Sequence, residues 1–279
     1  MKKILTVALS VVLALSLAAS ALAVTIAVPN DATNEGRALL LLQANGLIKV
    51  DEAAGIKPTA ADIIENPLNI EFYETDAAYV PNALADVDYA IINNNFALDA
   101  GLNPAKGLIV EAAESPYVNV ITVKEGNEDA DLTKALVAAV TSQQVVDFIA
   151  ETWPDKSVVA TVVEPTDGYD ADVDYAALAG QTISIGATPV PHEQILAIAK
   201  DILAEKDITL DIVEYNDYVA PNKAVEDGDL YANFFAHTPY QEDFNAENGT
   251  HLVNVAGIHV EPIALYGGKQ TDLTALTVE

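Results

Sequence analysis

Residues 24–46 read VTIAVPNDATNEGRALLLLQANG, and this stretch decides the fold. Its first six residues are short and rich in β-branched side chains, a pattern that predicts a buried strand. Polar turn and capping residues follow, and the apolar run after them predicts a helix that ends at Asn45-Gly46. A strand, a polar loop and the start of a helix form the place where α/β proteins hold ligands.

Arg37 is the only arginine of the chain, and the pattern places it in the first turn of this helix. A cation there opposes the helix dipole at a cost of roughly 0.3–1 kcal/mol. A carboxylate or phosphate gripped by the guanidinium through two oxygens would account for the position. The alternative is a surface arginine paired with one of the many nearby acids, and the stretch alone leaves both readings open.

The first 23 residues have the pattern of a secretory signal peptide. Residues 1–3 (MKK) are charged, an apolar run follows over 4–18, and residues 20–23 (SALA) fit a cleavage site. A membrane anchor is the alternative, but the apolar run is short. We therefore expect a mature protein that begins near Val24 and is secreted across the cytoplasmic membrane, to the periplasm or the cell surface.

Composition narrows the possible functions. The chain has no cysteine, which excludes disulfides, thiolate chemistry and a lipid-modified cysteine. The formal net charge of −29 argues against binding to nucleic acid and to anionic membrane surfaces. About 255 residues follow the predicted signal peptide, enough for one large or two modest domains.

Strands and helices alternate along the rest of the chain, which predicts an α/β protein with a mostly parallel sheet. The acidic, turn-rich segment 164–180 interrupts the alternation and is interpreted as a linker. A repeat supports two lobes of similar build. Residues 79–83 (YVPNA) and 218–224 (YVAPNKA) each lead through an acidic turn into a strand that contains Tyr-Ala. Two ordinary βαβ units in one sheet are the alternative.

Aromatic and amide side chains form a candidate pocket. Residues 234–240 (FFAHTPY) lie at a predicted strand end, and aromatic rings there could line a pocket or belong to the core. Sulfur–aromatic contacts would suit a thioether ligand. Asn93 and Asn119 lie at or inside buried strands, where an amide needs partners from the backbone or from a ligand.

Enzyme signatures are absent from the sequence, which has no Gly-x-Ser-x-Gly, no His-Glu-x-x-His and no phosphate-binding glycine loop. His192 follows Pro191 at a helix start, which predicts a capping role, and His259 is predicted to be structural. Residues 170–174 (DADVD) resemble a calcium loop but lack the glycine at the sixth position. We therefore predict no metal, no cofactor and no catalytic residue.

Several segments together resemble the methionine-binding lipoproteins of ABC importers. They are VPNDATNEGR at 28–37, SPYVN at 115–119, GATPVPH at 186–192, ANFFAHTPY at 232–240, and Val260-Glu261-Pro262 followed by Tyr266. The resemblance covers nearly all of the mature chain and implies a two-lobed periplasmic-binding-protein fold. It also implies a site in which Arg37 clamps the ligand carboxylate. The residues matching the family's remaining contacts are Asn93 and Asn119 for polar groups, and Tyr218, Phe235, His237 and Tyr240 for the side-chain pocket.

The order of the segments differs from that of the family. The family begins with the part equivalent to Thr182 onward and ends with the part equivalent to Val163, so this chain looks circularly permuted. We expect one lobe to comprise 24–117 completed by 263–279, and the other 118–262 with the linker 164–180. Permutation is tolerated where chain ends lie close together at the surface. The family's lipid-anchoring cysteine is missing, so a membrane tether is in doubt.

These observations predict a monomeric extracytoplasmic solute-binding protein that captures an amino acid, methionine above all, and delivers it to an ABC permease. Hinge closure of the lobes would enclose the ligand. The alternatives are a sensing or binding module of the same fold without a transport role, and an enzyme on that fold.

Overall fold

A computed structural model describes residues 23–112 and 116–277. The strands are β1 (Thr25–Pro29), β2 (Lys49–Val50), β3 (Ile63–Glu65), β4 (Glu71–Thr75), β5 (Tyr89–Ile92), β6 (Ile109–Val110), β7 (Val118–Lys124), β8 (Val159–Ala160), β9 (Thr182–Ala187), β10 (Thr209–Glu214), β11 (Ala232–His237), β12 (Leu252–Val260) and β13 (Ala264–Gly267). The α-helices are α1 (Ala32–Ala44), α2 (Val80–Ala83), α3 (Asn94–Asp99), α4 (Asp131–Val140), α5 (Gln143–Thr152), α6 (Tyr175–Leu178), α7 (Gln194–Ala204), α8 (Ala220–Asp227) and α9 (Thr238–Asn248).

The protein is a mixed α/β fold with two main sheets. The first sheet has the strand order β4-β1-β5-β13-β6, and the second has the order β10-β9-β11-β7-β12-β8. Buried aliphatic side chains cover both, because these strands carry continuous runs of apolar residues. The prediction of an α/β class is confirmed.

The prediction of a mostly parallel sheet is wrong. In the first sheet β1 runs parallel to β4 and β5, whereas β13 is antiparallel to both of its neighbours. In the second sheet β9 lies parallel to β10 and β11, whereas β7 and β12 pair antiparallel. The antiparallel strands β7, β12 and β13 adjoin the segments that pass between the sheets. Each of these strands is connected to a strand of the other sheet, so no βαβ unit within one sheet makes it parallel to its neighbours.

The two copies of the repeat lie in different sheets. The first copy leads through α2 into β5 of the first sheet, and the second leads through α8 into β11 of the second sheet. The alternative of two βαβ units in one sheet therefore does not hold. In both copies the proline lies in the first turn of its helix, where a missing N–H costs nothing.

The chain passes between the sheets from β6 to β7 and from β12 to β13. The start of the first passage lies beside the end of the second, since the backbone N–H of Glu111 donates to the carbonyl of Ile263 at 2.9 Å. Segment 164–180 packs against the second sheet instead of hanging free, because Val173 and Leu178 are buried in its core. Its role as a linker between exchanged halves stays a prediction.

The predicted signal peptide over residues 1–23 lies almost wholly outside the described residues. No helix within 23–112 and 116–277 is both long and apolar enough to cross a membrane.

Candidate functional site

All seven side chains predicted to bind ligand line one cavity between the two sheets. They are Arg37, Asn93, Asn119, Tyr218, Phe235, His237 and Tyr240. The cavity has a volume of about 20 Å³, which is room for about one water molecule. The geometry therefore brings the predicted residues together, while their role in ligand binding stays a prediction.

Five further residues line the same cavity and received no role from the sequence: Asn34, Asn94, Asn95, Ala236 and Glu261. The sequence carried a signal for two of them, Asn94 and Asn95. Asn93-Asn94-Asn95 is a run of three amides directly after the buried strand β5, and such a run at a strand end signals a polar site. Glu261 gave no such signal, because an acid after a strand is more often exposed.

Arg37 occupies the second turn of α1, because the helix begins at Ala32, five residues before Arg37. The side chain of Asp31 caps the helix by accepting from the N–H of Asn34 at 3.0 Å. The predicted dipole penalty on Arg37 therefore does not apply, since that effect is confined to the first turn. Gly36 beside it lets residues 56–57 lie against the helix, because a Cβ there would meet the carbonyl of Ile56 at 2.7 Å.

The guanidinium of Arg37 is buried and forms a bidentate ion pair with Glu111. Its Nε donates to Glu111 Oε1 at 2.9 Å, and its Nη2 also donates to the carbonyl of Glu261 at 2.6 Å. The guanidinium carbon lies 4.2 Å from the ring centroid of Tyr117, a cation–π contact. Arg37 is therefore no surface arginine, but the carboxylate that it grips belongs to the protein.

The aromatic side of the cavity is built around Tyr218. Its ring centroid lies 5.7 Å from that of Phe235 and 5.6 Å from that of Tyr240. Its hydroxyl donates to Asn95 Oδ1 at 2.6 Å, and the hydroxyl of Tyr240 donates to the carbonyl of Tyr218 at 2.8 Å. Burial, together with the negative charge of Glu261, raises the pKa of Tyr218 well above its usual value. The rings therefore present a neutral, amphipathic wall.

His237, at the end of β11 in the second sheet, reaches helix α1 across the cavity. Its Nδ1 accepts from the N–H of Tyr240 at 3.1 Å and so caps α9. Its Nε2 then carries the proton and donates to Asn34 Oδ1 at 3.1 Å. Burial, reinforced by the charge of Arg37, lowers the pKa of His237 well below its usual value, so the ring is neutral.

His192 does not cap a helix, contrary to the prediction. It is fully buried, and its Nδ1 lies 2.7 Å from the hydroxyl of Thr188 while its Nε2 lies 3.0 Å from Asn119 Oδ1. The chain turns before α7 in such a way that the ring points into the second sheet, where its edge meets Phe234. His192 therefore orients Asn119, one of the predicted ligand contacts.

A buried trio of His192, His259 and Glu261 adjoins the cavity, and its donor atoms lie within 4.8 Å of one another. Such a set could hold a metal ion. Hydrogen bonds already account for it, because His259 Nε2 donates to Glu261 Oε1 at 2.6 Å and His192 Nε2 lies 3.4 Å from the same oxygen. In the segment 170–174, the side chain of Asp170 accepts from the N–H of Asp172, and that of Asp174 accepts from N–H groups of α6.

The model of one protein family, the NlpA lipoproteins, matches residues 19–162 and 183–278. The chain belongs to this family. Among curated relatives, the D-methionine-binding lipoprotein MetQ of Yersinia pestis is 49% identical over 125 residues, which are 44% of this chain and 46% of the relative. The protein of the same name from Escherichia coli K12 is 47% identical over 125 residues, with the same shares covered. The chain thus spans about half the length of the curated relatives that it matches.

Solved structures from the family also align with about half of the chain. One, described as the methionine binding protein MetQ, is 43% identical over 48% of this chain and 56% of its own, with a TM-score of 0.46. Another, a nutrient binding protein from Burkholderia cenocepacia bound to methionine, is 44% identical over 47% of this chain and 56% of its own, with a TM-score of 0.46.

Proposed function

We propose that this chain is an extracytoplasmic solute-binding protein of an ABC importer and that it captures methionine in the cavity between its sheets. One observation carries the proposal. Arg37 and the ring-bearing Phe235, His237 and Tyr240 are about 200 residues apart along the chain, yet they surround one cavity. Membership of a family whose relatives are named as methionine-binding lipoproteins supports the choice of ligand.

The proposed architecture is a two-lobed periplasmic-binding-protein fold. One lobe comprises residues 24–117 completed by 263–279, and the other comprises 118–262. Membership of the two sheets supports this division, since β6 and β13 belong to the first sheet and β7 and β12 to the second. The cavity is too small for an amino acid, so capture requires the lobes to separate about the two passages and to close again.

We propose further that the chain is circularly permuted relative to its family. The family match is divided into two segments that flank 163–182, which contains the whole of the linker 164–180. Curated relatives align over less than half of the chain, as expected when a linear alignment can follow only one of two exchanged halves. Val24 and Leu276, near the two ends of the described chain, pack against the same core cluster. A direct connection between them in the family's order is therefore geometrically reasonable.

The proposed partner is an ABC permease in the membrane, and the proposed location is outside the cytoplasmic membrane. Calorimetry on protein purified by unfolding and refolding, to remove carried-over ligand, tests the function. We expect one methionine to bind per chain, and native mass spectrometry of protein that has not been unfolded should find the same ligand. Absence of methionine binding to the refolded, folded protein would refute the proposal.

A further inference from the structure

A second space lies behind the aromatic side of the cavity, and we call it the hollow. Its volume is about 230 Å³, more than ten times the volume of about 20 Å³ of the cavity itself. Its walls include Asp31 at the start of α1, Val219 before α8, and Tyr240, Asp243, Phe244 and Glu247 of α9. Among residues 23–112 and 116–277, Tyr240 alone lines both the cavity and the hollow.

The side chain of Tyr240 is held firmly between the two spaces. Its hydroxyl donates to the carbonyl of Tyr218 at 2.8 Å, and its backbone N–H donates to His237 Nδ1 at 3.1 Å. The ring centroid lies 6.1 Å from that of Phe235 on one side and 6.1 Å from that of Phe244 on the other. Phe235 lines only the cavity and Phe244 lines only the hollow. The ring of Tyr240 therefore forms a partition between them.

The two sides of this partition differ in charge. Three carboxylates, those of Asp31, Asp243 and Glu247, line the hollow, and Lys57 pairs with only one of them, Asp243. Burial, together with the negative charge of Asp31 and other acids, raises the pKa of Tyr240 above its usual value, so its hydroxyl stays protonated. The aromatic side of the cavity is neutral, whereas the hollow behind it favours a positive group.

The partition stays in place when the lobes move. Val219 and the residues of α9 that line the hollow all belong to the proposed lobe 118–262, so their positions around Tyr240 do not depend on closure. An amino acid whose carboxylate faces Arg37 directs its side chain towards the rings of the opposite wall. The end of that side chain then meets the ring of Tyr240.

We propose that the ring of Tyr240 limits the length of the ligand side chain by closing the cavity off from the hollow, so that the site accepts neutral side chains up to the length of methionine and rejects longer ones. This inference rests on the proposed function, because it assumes that an amino acid enters the cavity. It gives Tyr240 a part in specificity that the other rings of the wall do not share, since no other ring borders the hollow.

Calorimetry on the unaltered protein with a series of S-alkyl homocysteines tests the limit on length. The series runs from methionine, which carries an S-methyl group, through the S-ethyl and S-propyl homologues to the S-butyl homologue. Affinity is expected to fall along the series, by at least about tenfold at S-butyl, because extra methylene groups would overpack the space in front of the ring. Equal affinity for methionine and S-butylhomocysteine would overturn the inference even if no variant folds.

Tyr240→Ala removes the partition and is expected to reverse this order. Methionine should bind about tenfold or more weakly, because ring surface in contact with its side chain is lost. Each longer homologue should gain about fourfold in affinity per added methylene, because the chain now extends into the hollow. If Tyr240→Ala does not fold, Tyr240→Leu allows the same comparison, since leucine is shorter than tyrosine and keeps apolar contacts.

A charged probe shows whether the longer chain enters the hollow. S-(3-aminopropyl)homocysteine has the length of the S-butyl homologue but ends in an ammonium group. Tyr240→Ala should bind it at least as tightly as the S-butyl homologue, because carboxylates line the hollow. Phe235→Ala is the matched control, since it removes a ring from the same wall without opening the hollow. Its gap is enclosed by an apolar cluster and should reject the ammonium group.

The outcomes separate this inference from the proposed function. If the unaltered protein binds methionine but both alanine variants respond alike to the charged probe, Tyr240 is not the partition, and the proposed function stands. If the unaltered protein binds neither methionine nor any homologue, the proposed function falls and the inference with it.

Discussion

Arg37 and Glu111 form a bidentate ion pair at the point where the chain leaves the first sheet. Glu111 also accepts from the N–H of Ile263 at 3.4 Å, on the second passage between the sheets. Arg37 reaches that passage too, through the carbonyl of Glu261. The pair therefore joins both passages to α1, so the residue proposed to hold the ligand also holds the region about which the sheets would move.

Replacing Arg37 is expected to affect both binding and stability. Arg37→Ala removes the proposed carboxylate clamp and leaves Glu111 without its cation, which costs about 3–5 kcal/mol for a buried pair. Calorimetry should show most of the methionine affinity lost, and urea unfolding should show the lower stability. Lys57→Ala is the control, since its ion pair with Asp243 is partly exposed and worth about 1 kcal/mol or less. Unchanged methionine binding in folded Arg37→Ala would show that the clamp is misassigned.

Two similar substitutions distinguish aromatic side chains that line the cavity from those that only pack in the core. Phe235 and Phe244 are both buried in one apolar cluster, but only Phe235 lines the cavity. Changing either to leucine is expected to cost about 0.5–3 kcal/mol of unfolding free energy. Only Phe235→Leu should also weaken methionine binding, because it alone removes ring surface from the proposed pocket. Equal loss of affinity in both variants would indicate a general effect of packing.

The sequence could predict the parts of the site that depend on local pattern. The strand and helix of residues 24–46 follow from β-branched and apolar runs, and the wall at 234–240 follows from clustered rings. The position of Arg37 within its helix was missed, because capping by Asp31 lets the helix begin inside the polar loop. Apolar periodicity carries no information about such a start.

Long-range partners were beyond sequence reasoning. Glu111 is 74 residues from Arg37, and Glu261 is 167 residues from Asn94, so no spacing rule connects them. The capping role predicted for His192 was wrong, because a histidine after a proline also fits the start of a helix. Its ring is instead held by Thr188 and Asn119. Contacts that only the folded chain creates decide which polar residues of this site meet.

Stability is expected to depend on pH through the buried histidines. Burial lowers the pKa of His192 to about 3 and moves the pKa of His237 in the same direction. From about pH 6.5 down to the lowered pKa of each ring, the unfolded chain binds more protons than the folded one. Stability is therefore complete above about pH 6.5 and falls as the pH drops, by about 1.4 kcal/mol per unit for each such histidine.

Urea unfolding between pH 7.5 and pH 5 measures how steeply the free energy of unfolding changes with pH. Asp31 and Glu35 act in the opposite sense, because burial raises the pKa of each carboxyl and the folded state takes up their protons more readily as the pH falls. His192→Gln should reduce the slope by the share of one histidine. His251→Gln should not, since the side chain of His251 is mostly exposed. A slope that is the same in all three proteins would rule out His192 as a source.

Restoring the family's order of segments tests the proposed permutation. A chain that starts at Thr182, continues from Leu276 directly into Val24 and ends at Val163 would keep every strand of both sheets intact. It is expected to fold and to bind methionine with unchanged affinity, because the cut removes only the segment between β8 and β9. Those two strands do not pair with each other, since β8 is an edge strand beside β12 and β9 lies between β10 and β11.

A chain opened inside β7, at Ile121, is the control for this rearrangement. Strand β7 lies between β11 and β12 and pairs with both, so a break there removes central hydrogen bonds and should abolish cooperative unfolding. Failure of both chains to fold would mean that the buried part of 164–180, with Val173 and Leu178 in the core, is indispensable. The segment would then be an original element of the fold, and the proposal that it joins exchanged ends would be refuted.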